Sequence, residues 1–106
     1  MQRRRFLPIV VVAMLMPGIV PAYAETFQVT IDKLDFSPAN IKAKVGDTIE
    51  WVNKDVFAHT ATVRGDWDIV IQPKKTASFV LKTAGDVEYY CRFHPNMKGR
   101  ISVVPK

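Results

Sequence analysis

Residues 41–53 read IKAKVGDTIEWVN, and the prediction of the fold starts from this stretch. Apolar and polar residues alternate through Ile41–Val45, as they do in a strand that buries one face. The turn signal Gly46-Asp47 follows, and Thr48–Asn53 is a second run of strand-forming residues. The stretch therefore predicts two short β-strands joined by a turn, with Trp51 as a core side chain.

Short runs of the same kind fill the rest of the chain, and no long amphipathic helical pattern interrupts them. The runs are Phe27–Asp32, Thr60–Val63, Asp68–Ile71, Ala77–Lys82, Val87–Cys91 and Arg100–Val104. Ala84-Gly85-Asp86 indicates a turn before the run at Val87, and Phe79 is a second candidate core side chain. Seven or eight short strands at this spacing predict an all-β fold, a small antiparallel β-sandwich or barrel.

Residues 1–24 have the layout of a secretory signal peptide. Arg3-Arg4-Arg5 precedes an apolar run that is shorter than the ~20 residues of a membrane span. Ala22-Tyr23-Ala24 supplies the small residues that precede a cleavage site. We therefore expect cleavage after Ala24, a periplasmic domain at residues 25–106 and no membrane span after processing. The arginines also resemble the twin-arginine export motif, so the export route stays open.

The chain has 106 residues, a formal net charge of +5 and one cysteine. This length fits one domain, whereas an α/β barrel or a doubly wound dinucleotide-binding enzyme needs more. The single cysteine excludes an intrachain disulfide and a zinc site with two cysteine ligands. Without residues 1–24 the 15 basic residues fall to 12 against 10 acidic ones, and pairs such as Lys54-Asp55 indicate a solvated, mixed surface. A nucleic-acid partner is therefore not expected.

Side chains that can bind a soft metal are few after residue 24, and they cluster. The segment Cys91-Arg-Phe-His94-Pro-Asn-Met97 places a thiol, an imidazole and a thioether on one short loop after a predicted strand. His59 lies 32 residues before Cys91, in a different part of the predicted sandwich. Two imidazoles, a thiolate and a weak axial thioether are the ligand set of blue-copper electron-transfer sites. These four residues therefore predict a copper site.

Other interpretations of these side chains are less favoured. Cys91 alone could be a small buried apolar residue, and Met97 alone could fill a gap in the core. A structural zinc site seldom recruits methionine and usually closes with cysteine or histidine. An enzyme is disfavoured, because four protein ligands leave no strong open position for a substrate.

Four segments that span nearly all of residues 25–106 carry a resemblance to a known family. They are Phe36-Ser37-Pro38, Ile41–Asn53, His59 and Ala84–Gly99. With these motifs the sequence resembles the cupredoxins, the type 1 blue-copper proteins, and among them the amicyanins, whose short ligand loop is Cys-x2-His-x2-Met. The resemblance implies a Greek-key β-sandwich and one copper ion per chain. The copper ligands that it implies are His59, Cys91, His94 and Met97.

One position departs from the family pattern. Amicyanins usually carry Asn directly after the first ligand histidine, where it hydrogen-bonds to the ligand loop, whereas this chain has Thr60. The stretch between His59 and Cys91 is also shorter than in amicyanins. The resemblance therefore implies a tether that is weaker or of a different kind. It carries over neither the redox potential nor the amicyanin partner, methylamine dehydrogenase.

Two functions are compatible with the predicted site. The first is a periplasmic electron carrier that exchanges one electron with redox partner proteins, such as a dehydrogenase or a cytochrome-like protein. The second is a periplasmic protein for copper storage or delivery. Delivery proteins usually show Met- or His-rich open runs, whereas this chain keeps only the residues that one site needs. The sequence therefore favours the carrier, which we expect to be a monomer with transient partners.

His94 lies in the middle of the ligand loop, and its neighbours predict a docking surface. The apolar neighbours are Phe93, Pro95 and Met97. The basic residues at the rim are Arg92, Lys98 and Arg100. We interpret the apolar neighbours as a collar that docks a redox partner weakly. The basic rim is expected to attract acidic partners and to raise the association rate.

Overall fold

The computed structural model describes residues 23–106, and within this range the chain consists of β-strands and the loops between them. The strands are β1 Thr26–Ile31, β2 Phe36–Ser37, β3 Asn40–Lys44, β4 Thr48–Asn53, β5 His59–Val63, β6 Trp67–Ile71, β7 Thr76–Val80, β8 Gly85–Tyr90 and β9 Lys98–Val104. In this part of the chain no helix is long and apolar enough to cross a membrane. The predicted signal peptide, apart from Tyr23 and Ala24, lies outside the described residues.

The strands form two sheets that pack face to face, which confirms the all-β sandwich. One sheet has the order β2-β1-β4-β7 and the other has the order β3-β9-β8-β5-β6. Five of the seven strand pairs are antiparallel, but β1 pairs with β4 and β3 pairs with β9 in parallel. The sandwich is therefore mainly antiparallel, as predicted, with two parallel strand pairs. The chain leaves each sheet and returns to it later, so a strand can run the same way as its neighbour.

Gly46-Asp47 turns the chain as predicted, but the strands on either side belong to different sheets. β3 pairs with β9 in one sheet, and β4 pairs with β1 and β7 in the other. Gly46 has a φ of 99°, a left-handed value that glycine adopts without strain. The second predicted turn, Ala84-Gly85-Asp86, is corrected, because β8 already begins at Gly85 and pairs Asp86 with Ser102.

The core lies between the sheets, where alternate residues of the strands meet. Trp51 is completely buried, and its indole N–H donates to the Tyr89 hydroxyl at 3.3 Å. Burial raises the pKa of Tyr89 to about 12. Trp67 stacks on Phe79 with ring centroids 4.6 Å apart, and Phe79 is only partly buried. Gly99 of β9 lies against the Tyr89 ring, which a Cβ at this position would overlap. Trp51 is therefore a core residue as predicted, whereas Phe79 packs at the margin.

Candidate metal centre

The predicted ligands meet at one end of the sandwich because of the order of the strands. β5 and β8 are antiparallel neighbours in the second sheet. His59 is the first residue of β5, and Cys91 directly follows the last residue of β8. Both therefore lie at the same end, and the loop from β8 to β9, residues 91–97, brings His94 and Met97 to that end as well. This end is called the ligand end below.

Three of the four predicted ligands form a compact group of donor atoms. Cys91 Sγ lies 3.7 Å from His59 Nδ1 and 3.9 Å from His94 Nδ1. All three donor atoms lie within 4.8 Å of one another. A transition metal bonds a thiolate at about 2.3 Å and an imidazole at about 2.0 Å, so a trigonal arrangement separates sulfur from nitrogen by about 3.7 Å. The residues therefore fit a metal ion with one sulfur and two nitrogen ligands.

The fourth predicted ligand, Met97, is buried on the same loop as Cys91 and His94. Backbone hydrogen bonds close this loop: His94 N–H donates to the Cys91 carbonyl (3.2 Å) and Met97 N–H to the His94 carbonyl (2.8 Å). Cys91 N–H donates to the Met97 carbonyl at 3.1 Å. His59 and Cys91 have no exposed surface, whereas His94 is half-buried. The centre is therefore shielded from water except on the side of His94.

Asp55 holds the His59 ring from the side that faces away from the sulfur. Its Oδ2 lies 2.8 Å from His59 Nε2, so Nε2 carries the proton and Nδ1 can bind a metal. The backbone N–H groups of Lys33 (2.7 Å) and Leu34 (3.0 Å) donate to the same carboxylate. Burial raises the pKa of Asp55, but hydrogen bonds from Leu34, His59 and Lys33 outweigh it and hold the pKa below its ordinary value. Of the pair predicted to be solvated, Lys54 is exposed, but the expectation is corrected for Asp55, whose side chain is only 11% exposed.

Asn53 organises the loop between β4 and β5, which carries Asp55. Its Nδ2 lies 2.8 Å from the Phe57 carbonyl, 3.2 Å from the Ile71 carbonyl and 3.1 Å from the Gln72 carbonyl. Its Oδ1 accepts a hydrogen bond from the Asp55 N–H at 2.9 Å. The sequence alone singles out neither Asn53 nor Asp55 as functional. An acidic residue four positions before a candidate ligand histidine is the signal that could have found Asp55.

Thr60 stands where amicyanins usually have asparagine, and it forms a tether of a different kind. Its N–H donates to Cys91 Sγ (3.4 Å), and its Oγ1 accepts a hydrogen bond from the Arg92 N–H (2.8 Å). The Thr62 hydroxyl lies 2.9 Å from Thr60 Oγ1 and donates to Asp68 Oδ1 at 2.6 Å. Asp68 in turn pairs with the Arg92 guanidinium at 3.0 Å. A closed ring of hydrogen bonds therefore joins β5, β6 and the ligand loop.

Exposed apolar side chains from three loops lie at the ligand end. They are Leu34, Val56, Phe57 and Phe93, and each is at least 43% exposed. The rings of Phe57 and His94 have centroids 6.2 Å apart. Leu34, Phe93 and Pro95 line one shallow cleft together with His94. The predicted collar around His94 therefore extends to the β1–β2 and β4–β5 loops. We call the four exposed side chains the apolar face.

The basic residues predicted at the rim are largely paired with acids. The Asp68 side chain hydrogen-bonds to Arg92 and raises the pKa of Arg92, while the same pair lowers the pKa of Asp68. The Arg100 guanidinium lies 3.9 Å from Glu88 Oε2. Two of the three basic residues at the rim therefore have a carboxylate beside them, and the attraction of acidic partners by this rim stays a prediction.

The family of the chain follows from its similarity to known proteins. The sequence matches the family described as Cupredoxin-like domain over residues 5–103. The chain therefore belongs to the cupredoxin-like family, and the resemblance found in its motifs is confirmed. The two-sheet sandwich and the group of one sulfur and two imidazole nitrogens described above agree with this membership.

The relatives include a methylamine utilization protein and amicyanins. The chain is 34% identical to methylamine utilization protein MauL of Methylorubrum extorquens, over 82% of this chain and 81% of that protein. It is 29% identical to amicyanin of Paracoccus denitrificans, over 71% of this chain and 63% of that protein. The crystal structure of amicyanin from Paracoccus versutus has a TM-score of 0.65 and 28% identity, covering 81% of this chain and 86% of that one. A structure described as a reduced Cu(I) form of an amicyanin mutant has a TM-score of 0.64 and 26% identity, covering 84% and 90%.

Proposed function

We propose that the protein is a periplasmic type 1 blue-copper electron carrier, with one copper ion bound by His59, Cys91, His94 and Met97. The observation that carries the proposal is the buried Cys91 sulfur with one imidazole Nδ1 at 3.7 Å and another at 3.9 Å. Thiolate sulfur favours Cu(I) and imidazole suits Cu(II), so one site offers suitable donors to both states. Bound copper supplies the one-electron exchange between these states.

The protein's own groups hold the site in one geometry. The Thr60 N–H donates to the Cys91 sulfur, which stabilises the thiolate form. The Thr60 hydroxyl also holds the backbone of Arg92, the residue directly after Cys91, at 2.8 Å. Asp55 fixes the orientation and the tautomer of His59. A carrier needs such a fixed site, because rearrangement on gaining or losing an electron would slow the transfer.

Redox partners dock, in this proposal, on the apolar face around His94. His94 is the half-buried ligand, so it offers the shortest way from the site to solvent. A small apolar surface suits a complex that must dissociate quickly. The partner is a redox protein, a dehydrogenase or a cytochrome-like protein, that meets a monomeric carrier. The name of the relative MauL makes an enzyme of methylamine utilization the first partner to test.

Export to the periplasm with cleavage after Ala24 is part of the proposal. Tyr23 and Ala24 lie before β1 and are exposed, as a site that a peptidase must reach requires. Mass spectrometry of the protein from the cell envelope tests this step. We expect an amino terminus at Glu25, and a full-length chain retained in membranes would contradict the processing.

The visible spectrum of the processed chain after addition of Cu(II) tests the site. We expect an intense thiolate-to-copper band that saturates at stoichiometric copper and is lost in Cys91→Ser. Met97→Gln should keep the band and lower the reduction potential, because a harder oxygen ligand favours Cu(II). Val80→Ala removes an exposed apolar side chain from β7, away from the site, and should change neither property. A blue Cys91→Ser variant would overturn the ligand assignment.

Retention of copper distinguishes an electron carrier from a copper-delivery protein. The closed loop and the buried sulfur favour retention in both oxidation states. We expect the protein to pass through repeated cycles of reduction and oxidation in the presence of a Cu(I) chelator without losing its band. Transfer of the copper to the chelator on the first reduction would support delivery and contradict the carrier.

A further inference from the structure

Asp47 is a buried carboxylate at the end of the sandwich opposite the ligand end, with 1% of its surface exposed. β4 runs between the two ends, since Asp47 precedes its first residue and Asn53 is its last. Asp47 Oδ2 accepts a hydrogen bond from the Lys44 N–H (2.8 Å), and Oδ1 accepts one from the Glu25 N–H (2.9 Å). The Lys44 ammonium lies 3.8 Å from Oδ2. One carboxylate oxygen therefore has a cation nearby, and the other has the neutral amide of Glu25.

Backbone hydrogen bonds fix the positions of Asp47 and Glu25 in the sandwich. The Thr48 N–H donates to the Glu25 carbonyl at 2.9 Å, and the Leu81 N–H donates to the Asp47 carbonyl at 2.8 Å. The Gly46 N–H donates back to the Leu81 carbonyl at 2.8 Å. The contact between Glu25 N and Asp47 is therefore held by backbone hydrogen bonds of the strands and the turn before β4.

We propose that Asp47 is the binding site for the amino terminus that cleavage after Ala24 creates. The inference rests on the processing proposed above. Hydrolysis of the Ala24–Glu25 peptide bond adds water across it, leaving a carboxylate on Ala24 and an amine on Glu25. With an ordinary pKa of about 8 this amine takes up a proton at neutral pH. The neutral amide at 2.9 Å from Asp47 Oδ1 is then replaced by an ammonium group.

The new charge compensates a carboxylate that the fold has already buried. A buried carboxylate costs free energy unless hydrogen bonds and a cation offset its loss of water. The ammonium group also attracts the carboxylate by a charge–charge interaction, which the neutral amide lacks. The processed chain therefore has a more stable sandwich than the uncut chain. The gain appears only once the chain has been cut outside the cytoplasm.

Two full-length chains exported by the same host test the proposal. One is the natural chain, and the other carries Ser-Gly inserted between Ala24 and Glu25. After cleavage the inserted chain keeps a neutral amide at Glu25 and has its ammonium two residues away. Mass spectrometry verifies that both proteins were cleaved after Ala24. In urea at pH 7 we expect the natural protein to have an unfolding equilibrium constant about tenfold smaller than the inserted one.

Two further measurements show whether Asp47 is responsible. In chains that also carry Asp47→Asn, the effect of the Ser-Gly insertion should fall below about twofold. An amine-selective acetylating reagent should modify the natural α-amine several-fold more slowly than that of the inserted chain, and this needs no change at Asp47. Equal urea stability with equal labelling would overturn the proposal, and so would a natural terminus other than Glu25. None of these measurements uses the copper spectrum, so the proposal for Asp47 can fail while the proposed metal site stands, and the reverse.

Discussion

Asp47 and Asp55 lie at opposite ends of the sandwich and accept similar hydrogen bonds. Comparing them distinguishes a residue that stabilises the fold from one that also supports the candidate metal site. Asp55 at the ligand end and Asp47 at the opposite end each accept hydrogen bonds from two backbone N–H groups. Asp47 also has the Lys44 ammonium 3.8 Å from Oδ2, whereas Asp55 has Nε2 of His59, whose Nδ1 faces the Cys91 sulfur. Substitution of Asp47 should therefore change stability alone, whereas substitution of Asp55 should also change the metal site.

The largest effect is expected at Asp47, where the side chain is almost fully buried. In Asp47→Asn the side-chain NH2 faces one of the two N–H groups that donate hydrogen bonds to the carboxylate, so that bond is lost. The other N–H group keeps an oxygen acceptor, but one without a charge. We expect the metal-free protein to lose about 2–3 kcal/mol of unfolding free energy at pH 7. Urea unfolding of the metal-free chain measures this without interference from copper release.

The pH dependence of the stability difference between wild type and Asp47→Asn tests whether the carboxylate charge is its cause. Hydrogen bonds from the Glu25 and Lys44 N–H groups hold the pKa of Asp47 below its ordinary 3.8. A lowered pKa contributes stability above the unfolded pKa, and this stability is lost as the pH falls through the folded pKa. The gap between wild type and Asp47→Asn should therefore be full at pH 7 and shrink below about pH 4. A gap that stayed constant down to pH 2 would show that the carboxylate charge is not involved.

A smaller effect is expected from Asp55→Asn, and it should appear in the reduction potential. Loss of the anionic partner makes the His59 imidazole a weaker donor, which disfavours Cu(II) more than Cu(I). We expect the ratio of Cu(I) to Cu(II) affinity to rise about tenfold, so the potential should rise by about 59 mV. Spectroelectrochemical titration of the copper-loaded protein measures the shift.

Two matched variants accompany this measurement. Asp86→Asn removes one charge near the start of β8, where the carboxylate accepts a hydrogen bond from the Ser102 hydroxyl at 2.6 Å. Asp47→Asn removes one charge from the opposite end. Neither should shift the potential by more than a small part of the Asp55→Asn shift. Equal shifts in all three variants would mean that net charge, and not the bond to His59, sets the potential.

The strands and the group of metal-binding atoms could be predicted because their signals are local in sequence. Alternating apolar residues mark most strands, and Cys91, His94 and Met97 stand out because such side chains are scarce in the chain. His59 could be added because it is the second of the two histidines in the sequence, but its nearness to Cys91 depends on the pairing of β5 with β8. The sheet crossing at Gly46 was not predicted, because a turn signal does not say which sheet the next strand joins.

The polar residues that support the site could not be predicted, for a physical reason. Asp55, Thr62 and Asp68 are ordinary loop or strand residues in sequence, and each acquires its role from a partner in another element. Their hydrogen bonds form only after the sheets have assembled. The two-residue strand β2, Phe36–Ser37, was missed because a run of this length carries no periodicity.

The smallest effect is expected at the surface, where the two ends can be compared through exposed apolar side chains. Phe93 at the ligand end is 50% exposed, and Val80 on β7 is 45% exposed. Val80 pairs with Thr48, the first residue of β4, so it lies away from the ligand end. Phe93→Ala should slow electron transfer to a redox partner about fivefold, the equivalent of about 1 kcal/mol of docking energy, with an unchanged spectrum. Val80→Ala should leave the rate unchanged.

Salt provides the second half of this test. The Asp68–Arg92 and Glu88–Arg100 pairs place a carboxylate beside two of the three cations at the predicted rim. Since screening acts on unpaired surface charges, raising the salt concentration should change the transfer rate less than Phe93→Ala does. Stopped-flow mixing with a partner, such as an enzyme of methylamine utilization, measures both effects. A transfer rate that falls steeply with salt but is unchanged in Phe93→Ala would contradict docking on the apolar face. It would place the docking surface on charged residues.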